Sequence, residues 1–142
     1  MSEVERTVGT LLYIEDDPAA VELMQSLLSR HRPAVRLLVA TDGASGRRLA
    51  ESEKPDVIFV DLQLPDVDGI DLLAVLHRLE GAEVAPLVAF SANAGRTAIA
   101  RAVAAGASSF VAKPVDLQHV LTLVDTFITP QGDGPSGSVR ST

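Results

Sequence analysis

The chain has no cysteine, no tryptophan and no long apolar run. Without cysteine there is no disulfide framework, no thiolate nucleophile and no thiolate zinc site, which suits a reducing compartment. No stretch reaches the roughly 18 apolar residues of a membrane helix, and the charged start "MSEVERTV" lacks the apolar core of a signal peptide. These absences point to a soluble, cytoplasmic protein. Positive charge is also scarce: 12 Lys and Arg against 19 Asp and Glu give a net charge of -7, with no basic run set against it. So acidic a chain repels phosphate backbones and anionic headgroups, so neither nucleic acid nor membrane is expected as a direct partner.

What is present is enough for one domain with a substantial core, 142 residues of which 46% are hydrophobic. Short runs rich in Val, Ile and Leu alternate with stretches at helical spacing, the pattern of strand-helix units around a parallel sheet. Strands are predicted at 7–14, 35–40, 56–60, 86–90 and 109–112. They are apolar with little alternation, as strands covered on both faces are. Helical stripes are formed by Val21, Met24, Leu27 and Leu28 over 18–30, and by Leu72, Leu73, Leu76 and Leu79. A third stripe, Leu117, Val120, Leu121, Val124 and Phe127, runs over 116–128 and stops before Thr129-Pro130. Thr41-Asp42-Gly43 reads as a turn into a further helix. The segment 95–106 offers only Ile99, Val103 and alanines, so its helix is expected to pack lightly and to move. The domain is expected over 8–128, after a leader at 1–7. The tail at 129–142, with one apolar residue in fourteen, is expected to be disordered.

In an open parallel sheet, ligands bind beyond the carboxyl ends of the strands. The first strand is followed by Glu15-Asp16-Asp17, the third by Asp61, the fourth by Ser91 and the fifth by Lys113-Pro114. If the first and third strands are neighbours, Glu15, Asp16 and Asp61 converge. Three carboxylates so close need a cation, and hard oxygen donors in a wet cleft suit magnesium, which in turn expects phosphate oxygens. Lys113 is one of two lysines against ten arginines, a compact point charge where a planar fork was not chosen. Taken singly, each residue has a plainer reading. Asp17 before Pro18 is a helix cap, Ser91 a turn hydroxyl, Lys113 a solvated lysine, and Asp66 and Asp68 are turn and cap residues. His31, His77 and His119 lack metal spacing and read as surface residues. Joint placement favours a site.

With "YIEDDP", "VDLQLPDVDG", "VAFSANA" and "GASSFVAKP" at their spacing, residues 8–128 resemble the receiver domains of two-component response regulators. The resemblance implies a flavodoxin-like α/β fold: a doubly wound five-stranded parallel sheet, order 2-1-3-4-5, with five helices. It implies Asp61 as phosphoacceptor, with Asp16, Asp61 and the Gln63 backbone carbonyl as Mg2+ ligands and Glu15 acting through water. It further implies Ser91 as switch hydroxyl, Phe110 as aromatic switch, Lys113 as phosphate contact before a cis Lys113-Pro114 bond, and Gln63 and Asn93 as tuners of hydrolysis. Leu64, Ser91 and Phe110 depart mildly from the commonest family residues.

The implied partners are a sensor histidine kinase or phosphotransfer protein and a downstream protein effector, with a homodimer through 95–106, 109–112 and 116–128 as a further option. The implied role is phosphoacceptor, not enzyme. Met1 and the short leader favour a free-standing regulator. The alternatives are the receiver portion of a hybrid kinase, a phosphorelay intermediate, a phosphate-independent adaptor or a magnesium phosphatase. The last would want Asp-x-Asp after the first strand, where "EDDP" stands.

Overall fold

Apolar strand runs and amphipathic helices alternate along the chain in the computed structural model, which describes residues 8–79 and 85–128. The elements are β1 (Gly9–Ile14), α1 (Pro18–His31), β2 (Val35–Ala40), α2 (Gly43–Glu53), β3 (Val57–Asp61), α3 (Gly69–His77), β4 (Leu87–Ser91), α4 (Arg96–Ala104), β5 (Ala107–Ala112) and α5 (Leu117–Phe127). The strands are parallel and lie in the order β2-β1-β3-β4-β5. The expected leader at 1–7 and tail at 129–142 lie outside the described residues.

Because successive side chains on a strand point to opposite faces, each strand feeds two cores. Leu11, Tyr13, Val57, Phe59, Val88 and Phe90 meet α1 and α5 on one face. Leu12, Ile14, Ile58, Val60, Leu87 and Ala89 meet α2, α3 and α4 on the other. Three of the chain's five aromatic rings, Tyr13, Phe59 and Phe90, pack together on the first face, with ring centroids 5.1 to 6.4 Å apart. On this face Arg32, the C-cap of α1, forks onto Asp125 of α5, with N–O distances of 2.7 and 2.6 Å. Among the described residues no helix is long and apolar enough to cross a membrane.

Several boundaries differ from the sequence reading. β3 and β4 run one residue further, through Asp61 and Ser91, because Leu62 N donates to Phe90 O (2.9 Å) and Lys113 N to Ser91 O (3.0 Å). β5 starts at Ala107, ahead of the predicted 109, and a register shift beside Leu87 and Val88 absorbs the difference. α4 does pack lightly, but its apolar pair faces outward: Ile99 and Val103 are exposed, and Ala102 is its buried residue. A methyl side chain there lets the helix approach the sheet closely. In α5, Leu117 is exposed in the first turn while Leu123 is buried. Leu79 lies past the end of α3, half-buried against the second core.

Candidate functional site

The site forms where β1 and β3 run out side by side. Ile14 pairs with Val60, so Glu15 and Asp61 emerge from adjacent strands at the same level. Among the described residues, Glu15, Asp16 and Asp61 form the one group of three carboxylates with oxygens within 4.8 Å of one another. Glu15 and Asp61 are buried, whereas Asp16 is exposed and keeps the group open to solvent. Lys113, just past β5, brings Nζ to 3.3 Å from Glu15 Oε1 and 3.3 Å from Asp61 Oδ1.

Glu15 is held from two sides: the Tyr13 hydroxyl donates to Oε1 (3.3 Å) and Asp17 N donates to Oε2 (3.1 Å). Burial, then the hydrogen bond and charge of Asp61, raise its pKa; the Asp17 amide and Lys113 oppose them without prevailing. Burial alone would lower the Lys113 pKa, but the charges of Asp61 and Glu15 outweigh it and raise the pKa, so the ammonium stays charged. Burial, then the Glu15 charge, raises the Tyr13 pKa, so its hydroxyl remains a donor. Three carboxylates against one ammonium leave an excess of negative charge. Hard oxygen donors with one exposed member fit magnesium, which retains several waters and prefers carboxylates.

Gln63 is exposed, and its N–H donates to Asp61 Oδ1 (3.1 Å). Ser91 is buried, with Oγ accepting from Asn93 N (3.0 Å). Asn93 is exposed and accepts from Gly95 N (3.3 Å). Phe110 is half-buried against the core that contains α3 and α4. The Lys113-Pro114 bond is cis. Asp17 caps α1, accepting from Ala19 N, and Pro18 opens the helix. His31, His77 and His119 are all exposed.

The loop from Asp61 to α3 is stiffly built. Gln63 bridges to Asp68, Asp68 caps α3 through Ile70 N (2.8 Å), and Gly69 N donates to Leu62 O (3.2 Å). A Cβ at Gly69 would stand 2.2 Å from Leu62 Cα and 2.6 Å from Leu62 O, and backbone cannot swing aside. Gly69→Ala is therefore expected to destabilise the protein by about 1–3 kcal/mol, the usual penalty of overpacking. A lowered urea midpoint at unchanged m-value would report it.

Two contacts escape the sequence reading. Tyr13 reads as core, and nothing in "LLYIE" tells that its hydroxyl meets Glu15 two residues on. Asp66 reads as a local cap, yet it accepts from Gly43 N (2.8 Å) and Ala44 N (3.1 Å), the first amides of α2. That pairing is between distant segments and has no local signal.

The model of the response regulator receiver domain matches residues 11–125. Transcriptional regulatory protein KdpE of Mycobacterium tuberculosis is 33% identical over 111 residues, 78% of this chain and 47% of that protein. Signal transduction histidine-protein kinase BarA of Escherichia coli is 30% identical over 127 residues, 87% of this chain and 13% of that protein. The chain thus spans less than half the length of either relative. The receiver domain of sensor histidine kinase PA1611 from Pseudomonas aeruginosa superposes with a TM-score of 0.75 at 24% identity, covering 84% of this chain and 97% of that one. That structure holds a magnesium ion coordinated in its active site cleft. The order of the strands, the acidic group at their carboxyl ends and these matches agree: the chain belongs to the response regulator receiver domains of two-component signalling systems.

Proposed function

We propose that this domain accepts a phosphoryl group on Asp61 from the phosphohistidine of a sensor kinase or phosphotransfer protein, and so switches a protein-binding surface. The observation that carries this reading is Asp61 itself, a buried carboxylate 3.3 Å from the Lys113 ammonium and within 4.8 Å of two further acids. Asp16, Asp61 and the Gln63 carbonyl would hold Mg2+, with Glu15 acting through water. Bound there, the ion would offset the repulsion among the acids and supply positive charge to the phosphoryl oxygens. The magnesium in the cleft of the Pseudomonas aeruginosa receiver supports this assignment.

In the transfer, an Asp61 oxygen attacks phosphorus as the P–N bond to histidine breaks. The bonding pair leaves with the imidazole nitrogen, and an acyl phosphate remains. Such transfers are loose, so positioning and electrostatics dominate, and Lys113 supplies a fixed positive charge. Water later attacks the acyl phosphate and returns the aspartate with inorganic phosphate. Gln63 and Asn93, both exposed, would tune that water's access.

The output is a change of shape. The phosphoryl group draws the Ser91 hydroxyl inward, and Phe110, only half-buried, turns into the space left. The surface of α4, β5 and α5 shifts with it, and α4, with Ala102 as its buried residue, yields most readily. A protein effector, a relay partner or a second copy would read this surface. The acidic, cysteine-free chain suits action in the cytoplasm.

Incubation with acetyl phosphate and magnesium, followed by intact-mass measurement, tests the reading. One added phosphoryl group, absent when magnesium is chelated, is expected. No adduct under any phosphodonor, or an adduct indifferent to chelation, would refute it.

A further inference from the structure

We propose that Asp66 is a positioning residue: bonded to the first amides of α2, it pins the loop that carries the Gln63 carbonyl toward the cation. The inference rests on the metal-binding role proposed above for Gln63.

A main-chain ligand differs from a side-chain one in having no rotamer of its own. It goes where the loop goes, and magnesium tolerates little departure from octahedral geometry. The base of the loop is closed by Gln63 bridging to Asp68 and by Gly69 N donating to Leu62 O (3.2 Å). Its tip is tied to another element. Both Asp66 oxygens accept from α2, at 2.8 Å from Gly43 N and 3.1 Å from Ala44 N. Two bonds to one carboxylate fix its orientation as well as its distance. α2 has a cap of its own in Asp42, which accepts from Ser45 N (2.8 Å) and leaves the Gly43 and Ala44 amides to Asp66. The approach is close: a Cβ on Gly43 would run into Val67 Cγ1, forcing that side chain to shift, and would stand 3.3 Å from Asp66 Oδ1. Asp66 is thus a surface residue spent on joining two loops.

Magnesium affinity, measured on the full chain by NMR or calorimetry, separates position from charge. Asp66→Ala should weaken magnesium by roughly tenfold, the low end for losing a ligand's supporting partner. Gly43→Ala, which removes no charge but pushes Val67 and Asp66 away, should weaken it similarly. Asp66→Asn keeps one good acceptor and should fall between, and it carries the test should either other variant unfold. Asp42→Ala, which removes the local cap of the same helix, should lower Tm and leave magnesium affinity unchanged. Without any metal, exchange of the Gly43 and Ala44 amides should quicken in Asp66→Ala. Unchanged magnesium affinity in Asp66→Ala overturns the inference alone. So does weakening by Asp66→Ala without weakening by Gly43→Ala, which would mean charge and not position. An equal loss in Asp42→Ala overturns it too, in favour of general fraying of α2. A parent chain that binds no magnesium overturns the reading beneath it as well.

Discussion

With magnesium present, Asp16→Asn is expected to lose phosphoryl labelling altogether, while Asp17→Asn keeps it. The two acids are neighbours in "EDDP" and nearly identical in chemistry, so the difference must come from placement. Asp16 contributes an oxygen to the group with Glu15 and Asp61, within 4.8 Å of theirs. Asp17 turns its carboxylate onto Ala19 N at 3.0 Å and starts α1. A cap needs only a short acceptor, and asparagine serves nearly as well as aspartate, so Asp17→Asn should cost well under about 1 kcal/mol. Asp16→Asn keeps the size and removes a charge that would attract the cation. Its magnesium affinity should fall by more than the roughly 10- to 100-fold lost with a ligand's supporting partner. Glu15→Gln should lie between, because Glu15 is held by Tyr13 and the Asp17 amide and would reach the ion through water. With no tryptophan in the chain, binding is followed by calorimetry or amide shifts. Magnesium lost in Asp17→Asn and kept in Asp16→Asn would put the assignment one residue out of register.

Lys113→Ala is expected to slow labelling of Asp61 and to uncouple it from the switch. Its ammonium stands 3.3 Å from both Glu15 and Asp61, with the side chain about a quarter exposed (26%). Loss of one pre-positioned electrostatic group commonly costs about 10²–10³ in rate, and labelling by acetyl phosphate should slow by roughly that factor. Folding should survive, because Glu15 keeps the hydrogen bonds from the Tyr13 hydroxyl and the Asp17 amide once the lysine is gone. The sign is definite: Lys113 has a raised pKa in the fold, so its stabilising charge is present at neutral pH and lost only as pH rises through that value. The parent should therefore lose stability at alkaline pH in a way the alanine variant does not. In the fraction of Lys113→Ala that does become phosphorylated, amide shifts at Ser91 and Phe110 should stay near those of the unmodified protein. Parent-like shifts there would remove Lys113 from the switch.

Much of this molecule is legible from its residues, for reasons that also mark where reading stops. The apolar runs that become β1, β3 and β4 need only burial on both faces, and burial follows from composition. Their ends do not: the ladder continues through Asp61 and Ser91, which hydrogen bonding holds and hydropathy cannot report. Helical stripes chosen by size place α1 correctly through Met24, Leu27 and Leu28, which are buried. The same rule fails for α4, where the small Ala102 and not Ile99 or Val103 faces the sheet. Close approach favours the small residue, and a moment built on large ones points the wrong way. For the site, spacing relative to strand ends suffices to bring Glu15, Asp16, Asp61 and Lys113 together, because the sheet order fixes which strand ends adjoin. What spacing omits is support from elsewhere in the fold: the Tyr13 hydroxyl on Glu15 and the Asp66 carboxylate across to α2.

Asp61, and no other acid of the group, is expected to carry the phosphoryl. Borohydride reduction of the acyl phosphate after labelling with acetyl phosphate and magnesium converts the modified side chain to an alcohol that peptide mapping can locate. The tag is expected at Asp61 alone, with no labelling of Asp61→Asn. A tag on Glu15 or Asp16, or labelling of Asp61→Asn as efficient as that of the parent, would contradict it.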